Sequence, residues 1–136
     1  VIDLMPEQRT VGSKGATMRL GAHEISITPN TTASSLYGLD VISERHRHRY
    51  EVNPNYIGRI IAGGGVFSAR SIDSRRMEIF ELPGKYYYLG TQFHGEFKSR
   101  PGKPSPPYYG LIKAALDRKL GKPTPELAPL LRYAAM

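Results

Sequence analysis

The sequence has no cysteine among its 136 residues. That excludes disulfides, thiolate metal sites and any cysteine nucleophile carried by this chain. No apolar run reaches the roughly 18 residues of a membrane-crossing helix. The start, Val1 to Gln8, has neither a basic segment nor a long apolar one, so no signal peptide is expected and a cytoplasmic location is. Internal repeats and low-complexity stretches are also missing. The first residue is not methionine. Val1, Ile2 and Leu4 are apolar and strand-like from the outset, so a start inside a larger domain is expected.

What is present bounds the chain to one compact domain. Hydrophobic residues make up 40% and charged residues 23%, which is the balance of a globular rather than a disordered chain. The formal charge is +7, from nineteen Lys and Arg against twelve Asp and Glu. Such a surface attracts anions, although the same charge also serves simply to keep a protein soluble. A nucleic-acid-binding module would rest on this charge alone. No RNP, KH or helix-turn-helix signature accompanies it, so nucleic acid is not expected as a partner.

Strand and helix patterns alternate along the chain. Residues 6–15 read as a loop. Thr17 to Thr28 alternates as a strand, with a change of apolar phase near Glu24 that predicts a bulge or turn. Thr32 to Leu39 predicts a short helix entered through Thr31 or Thr32. Tyr56 to Ala62 predicts one or two helical turns, and Val66 to Ser71 with Met77 to Leu82 a hairpin around Asp73-Ser74. Tyr86 to Phe93 is a β-rich run. Ser105-Pro106 predicts a helix start whose apolar face carries Tyr109, Ile112 and Leu116, stopped by Gly121 and Pro123. A further short helix is predicted over Glu126 to Tyr133. The class is α/β or α+β, and pattern alone leaves the two open.

Three clusters offer chemistry. His94 and Glu96 stand two apart at the end of the β-rich run, where an extended backbone would place both on one face. A carboxylate beside an imidazole fixes its tautomer and stabilises its protonated form, which is two thirds of a nucleophile–base–orienter arrangement. Arg45, His46, Arg47, His48 and Arg49 would, if extended, put three arginines on one face and two histidines on the other. The arginine face suits phosphates or carboxylates. The histidines lack the further ligands of a metal site, and no metal is expected. Such a run also serves as a solvated strand edge. Finally, Lys85 beside Tyr86-Tyr87-Tyr88, and Phe97-Lys98-Ser99-Arg100 near Lys103, interleave basic and aromatic residues. That mixture can hold nucleotides but more commonly forms half-buried strand.

Taken together, three segments resemble the CTP synthase family. They are Gly15-Ala16-Thr17-Met18-Arg19-Leu20-Gly21, then Glu44 to Asn53 (ERHRHRYEVN), then Gln92 to Pro101 (QFHGEFKSRP). The opening Val1 to Gln8 and Pro104-Ser105-Pro106 are similar as well, so the likeness runs in order from residue 1 to about residue 120. It implies an α/β fold, part of a flavodoxin-like class I glutamine amidotransferase domain. Residues 1–122 would be the C-terminal portion of that domain and residues 123–136 a tail. It further implies that His94 is the general base and then acid, that Glu96 orients it, that Arg49 contacts the bound glutamine, and that Arg19 belongs to the response to GTP.

The same resemblance implies that the nucleophilic cysteine, the oxyanion-hole glycines and the synthetase domain lie outside these residues. The chain alone is therefore expected to be inactive. No cofactor is expected in it, with Mg and ATP used by the synthetase domain of the parent. Glutamine, GTP as activator, the missing half-domain and a homotetrameric parent are the implied partners, and no membrane. Two departures stand out: Gly95 replaces the family's proline, and Ala16 its second glycine. Glycine at position 95 is expected to loosen the backbone between His94 and Glu96. The competing expectation is a binding protein of amidotransferase descent that has lost its nucleophile.

Overall fold

The computed structural model describes residues 1–4 and 18–123. The loop over 6–15, the residues before Met18 in the Gly15–Gly21 motif and the helix over 126–133 lie outside the described residues, as does the tail beyond Pro123.

Strands dominate. β1 (Ile2–Leu4) pairs antiparallel with β4 (Tyr50–Val52) in a two-stranded sheet. A five-stranded antiparallel sheet has the order β3 (Val41–His48), β2 (Arg19–Ile27), β5 (Val66–Ser71), β6 (Met77–Glu81), β7 (Leu89–Thr91). Helices α1 (Thr32–Tyr37), α2 (Pro54–Ala62) and α3 (Pro106–Lys119) complete a mixed α/β architecture, strand-rich with a terminal helix, as expected for a portion of the family fold.

Local chemistry explains several of these elements. Thr31 caps α1, its hydroxyl accepting from the Ser34 amide at 3.0 Å. The buried Glu81 carboxylate accepts from the Thr32 and Ala33 amides at 3.0 and 2.8 Å, so a negative charge sits where the helix leaves donors unpaired. Gly38 closes α1 with φ +63, a left-handed value that glycine adopts without penalty. The predicted hairpin is β5–β6. The Ser71 hydroxyl donates to the Asp73 carboxylate and accepts from the Arg76 amide at 3.0 Å, which tightens the connection.

Two expectations change. β2 is unbroken through Glu24: every residue from Arg19 to Ser26 pairs with β3, from His48 to Val41, in one register. The change of apolar phase has another cause. Ile25 and Ile27 face the core, whereas Leu20 and Ala22 lie on the opposite, exposed face. The β-rich run from Tyr86 shrinks to Leu89–Thr91.

The core gathers Ile25, Ile27, Ala33, Ile42, Ala69, Ile79 and Phe93 between the sheet and α1. α3 joins it by an unexpected side. Its approach is through Pro107 and Gly110, where a Cβ on Gly110 would come within 2.7 Å of the Tyr87 ring and 2.9 Å of Leu36. The Tyr87 hydroxyl donates to the Pro107 carbonyl at 2.6 Å. Close backbone approach therefore seats the helix, and the predicted apolar face points away, with Ile112 69% exposed and Leu116 52%.

Candidate functional site

β3 is an edge strand of the large sheet, and the segment from Phe93 to Lys98 runs along it. Phe93 is buried beneath, its ring edge-on to His46 at 6.1 Å. The His94 amide donates to the Arg45 carbonyl at 2.9 Å. The chain then turns into a 3-10 turn, Gly95–Lys98. This turn, not an extended backbone, brings the pair together: His94 Nδ1 lies 2.7 Å from Glu96 Oε1. Side chains two apart in sequence meet because the backbone doubles back between them.

Both residues are partly exposed. The hydrogen bond from His94 holds the Glu96 carboxyl below the usual glutamate range. Sequence reading missed Tyr108, whose hydroxyl donates to Glu96 Oε2 at 3.3 Å from the first turn of α3. The carboxylate is therefore gripped from both sides, by the imidazole on one oxygen and the phenol on the other. The Phe97 ring lies 5.6 Å from that of His94.

Gly95 has a steric part in this arrangement. It is buried, and a Cβ added there would come within 2.7 Å of the Ser105 hydroxyl oxygen. Its role is one of space: Ser105, at the N-terminus of α3, fills the volume a side chain would need. Ser105 makes no side-chain capping bond to α3 despite its position, and its buried hydroxyl has no hydrogen-bond partner among the described residues.

Along β3 the arginines at 45 and 47 face outward, while Ile42, Glu44 and His46 face inward. Arg49 does not continue the arginine face. The strand ends at His48, and Arg49 occupies the bend before β4, half-buried. His46 bridges the Glu44 carbonyl, 3.1 Å from Nδ1, and Glu78 Oε2, 2.9 Å from Nε2. Glu78 also receives the Arg19 guanidinium, and the ion pair is almost wholly buried. Burial alone would raise the Glu78 carboxyl, but hydrogen bonds from His46 and Arg19 pull it below the usual range. Arg19 is thus engaged inside the sheet.

His23 stands edge-on to His46 at 5.2 Å, and His48 is tilted against it at 5.3 Å. Burial and the neighbouring His46 and Arg19 push His48 down to about 4, leaving it neutral at pH 7. Among the described residues, no group of three or more His, Cys, Asp or Glu side chains is arranged to hold a metal ion. Nor, among them, is any helix long and apolar enough to cross a membrane.

Residues 3–114 match the family model for class-I glutamine amidotransferases. The CTP synthase of Thermococcus gammatolerans is 56% identical over 122 residues, which is 89% of this chain and 23% of that protein. The CTP synthase of Archaeoglobus fulgidus is 58% identical over 116 residues, 85% of this chain and 22% of its own length. The chain thus spans under a quarter of the length of these curated relatives. Among solved structures, the glutaminase domain of Trypanosoma brucei CTPS with bound acivicin superposes with a TM-score of 0.76 at 33% identity, covering 93% of this chain and 48% of that one.

Proposed function

The chain belongs to the class-I glutamine amidotransferase family, and from that premise we propose that it is the part of a CTP synthase that supplies the base and its orienter for glutamine hydrolysis. The observation that carries this reading is the 2.7 Å contact between His94 Nδ1 and Glu96 Oε1 on an exposed turn. With Nδ1 donating to the carboxylate, the neutral ring keeps its lone pair on Nε2, the tautomer a general base requires.

The cysteine comes from a segment outside these 136 residues. Nε2 of His94 takes its thiol proton as sulfur attacks the side-chain carbonyl carbon of glutamine. The imidazolium, stabilised by Glu96, returns that proton to the leaving nitrogen, and ammonia departs from a thioester. His94 then takes a proton from water, whose oxygen attacks the thioester carbon. Glutamate is released and the thiol restored. The ammonia serves amination of UTP to CTP in the synthetase domain, where ATP and Mg act.

Arg49 is proposed to hold the glutamine carboxylate, a task suited to a guanidinium fork. Arg19 is proposed to belong to the response to GTP. Because Arg19 is paired with Glu78, such a response would act on a buried ion pair and not on a free guanidinium. Residues 123–136 are proposed as a tail outside the domain.

The test is glutamate release by the purified chain. Supplied with glutamine alone, it is expected to release none, because no thiol is present to form the thioester. Turnover by the isolated chain at a rate typical of an amidotransferase would contradict the reading.

A further inference from the structure

Glu44 is a buried ionisable group that the chemistry above does not use. It is 2% exposed, on the inward face of β3. Its Oε1 accepts from the Tyr37 hydroxyl at 3.2 Å and lies 3.9 Å from Lys98 Nζ. Its Oε2 is buried without a hydrogen-bond partner among the described residues. Placing a carboxylate there is costly unless a charge compensates it, and among the described residues Lys98 is the cation within ion-pair distance. Lys98 is also the last residue of the 3-10 turn that carries Glu96, and its ammonium donates to the Ser43 carbonyl as well.

The two ends of this contact are held differently. Glu44 is fixed in a sheet, with neighbours paired to β2 on both sides of it. Lys98 is about half exposed and hangs from a short turn. Were the turn to lift off β3, Glu44 would lose the cation that favours its charged form and would have to take up a proton, so the cost of that change holds Lys98 in place. We infer that Glu44 is a positioning residue for the His94–Glu96 pair, acting through Lys98 and resting on the catalytic reading given above. The His94 amide, bonded to the Arg45 carbonyl, pins one end of the turn, and the Lys98–Glu44 contact pins the other. Glu96 lies between these two anchors.

Burial raises the Glu44 carboxyl above the usual glutamate range, so ionising it costs folding free energy at neutral pH. Replacing it by the neutral, isosteric glutamine therefore removes the electrostatic anchor while relieving that cost. This separates positioning from folding.

The experiment uses the complete synthetase carrying this segment, assayed for CTP formation with glutamine and, separately, with free ammonia, which bypasses glutamine hydrolysis. Glu44→Gln and Lys98→Met are each expected to lower kcat with glutamine by about tenfold or more, since small misplacements of catalytic groups are costly. KM for glutamine and the ammonia-dependent rate should be unchanged. Lys98→Arg, which restores a cation, should recover part of the loss. Full glutamine-dependent kcat in both Glu44→Gln and Lys98→Met would overturn the inference, as would equal loss of the two activities in both. His94→Ala separates the two levels of the argument: if it left glutamine-dependent activity intact, the catalytic reading itself would fall and this inference with it.

Discussion

The Nδ1 nitrogen of His94 lies 2.7 Å from Oε1 of Glu96, across a 3-10 turn in which the intervening Gly95 is buried. A short bond on a half-exposed surface fits the base proposed above, whose nucleophile would come from another segment. It also sets how the pair should respond to pH. The hydrogen bond from His94 holds the Glu96 carboxyl below the usual glutamate range, so the carboxylate is available to orient His94 throughout the neutral range and is lost only as pH falls through that depressed value. In the complete enzyme, Glu96→Gln should lower glutamine-dependent kcat across the neutral range, because the variant loses the carboxylate that orients His94 and stabilises its imidazolium. An unchanged kcat over that range would contradict the prediction.

Gly95 acts through its lack of volume. Gly95→Ala places a Cβ within 2.7 Å of the Ser105 hydroxyl oxygen, and overpacking of this kind costs about 1–3 kcal/mol. Adding Ser105→Ala removes that oxygen and should recover most of the loss. Denaturant unfolding of the single and double variants measures both. Additive destabilisation would show that the two positions are not coupled.

The buried Arg19–Glu78–His46 cluster makes a stability prediction. Removing the carboxylate leaves a buried guanidinium without its partner, and Glu78→Ala should destabilise by about 3–5 kcal/mol. Because the Glu78 carboxyl in the folded state is held below the usual glutamate range, its contribution is fully present at neutral pH and is lost as pH falls through the depressed folded value. Unfolding free energy followed from pH 7 downwards should show this loss in the parent protein and not in Glu78→Ala. Identical profiles would remove Glu78 from the account of acid stability.

The outward side of α3 predicts how the chain behaves by itself. Tyr109, Ile112, Leu116 and Leu120 are all more than half exposed, a stripe that belongs against another surface. The solved glutaminase domain that superposes on this chain is about twice as much chain as the part covered. The isolated chain should therefore self-associate as concentration rises, and Ile112→Glu with Leu116→Lys should suppress this in size-exclusion chromatography. A monomer at all concentrations would argue that the stripe needs no cover.

Much of this was legible in the sequence, and the exceptions have physical causes. The capping threonine of α1 and the β5–β6 hairpin were readable because their signals are local: a side chain and a backbone amide three residues apart, or a turn between two apolar runs. The apolar face of α3 was readable as a stripe, but not which side of the helix would be covered. Packing is decided by Gly110 against Leu36 and Tyr87, contacts between distant parts of the chain. His94 and Glu96 were identifiable as a pair by their spacing, although the 3-10 turn that joins them has no local signal to distinguish it from extended backbone. Glu78 and Tyr108 were not identifiable. Glu78 meets His46 across 32 positions and Arg19 across 59, and no local pattern marks such a meeting. The one available hint was a charged residue between Met77 and Ile79, in a strand buried on both faces.

The central claim is that His94 is the base for a cysteine supplied from outside these residues. Glutamate release from glutamine by the complete enzyme, with and without His94→Ala, tests it most directly. The account predicts a fall of at least about a hundredfold in that rate with ammonia-dependent CTP formation preserved. Glutamate release at the parental rate in His94→Ala would contradict it.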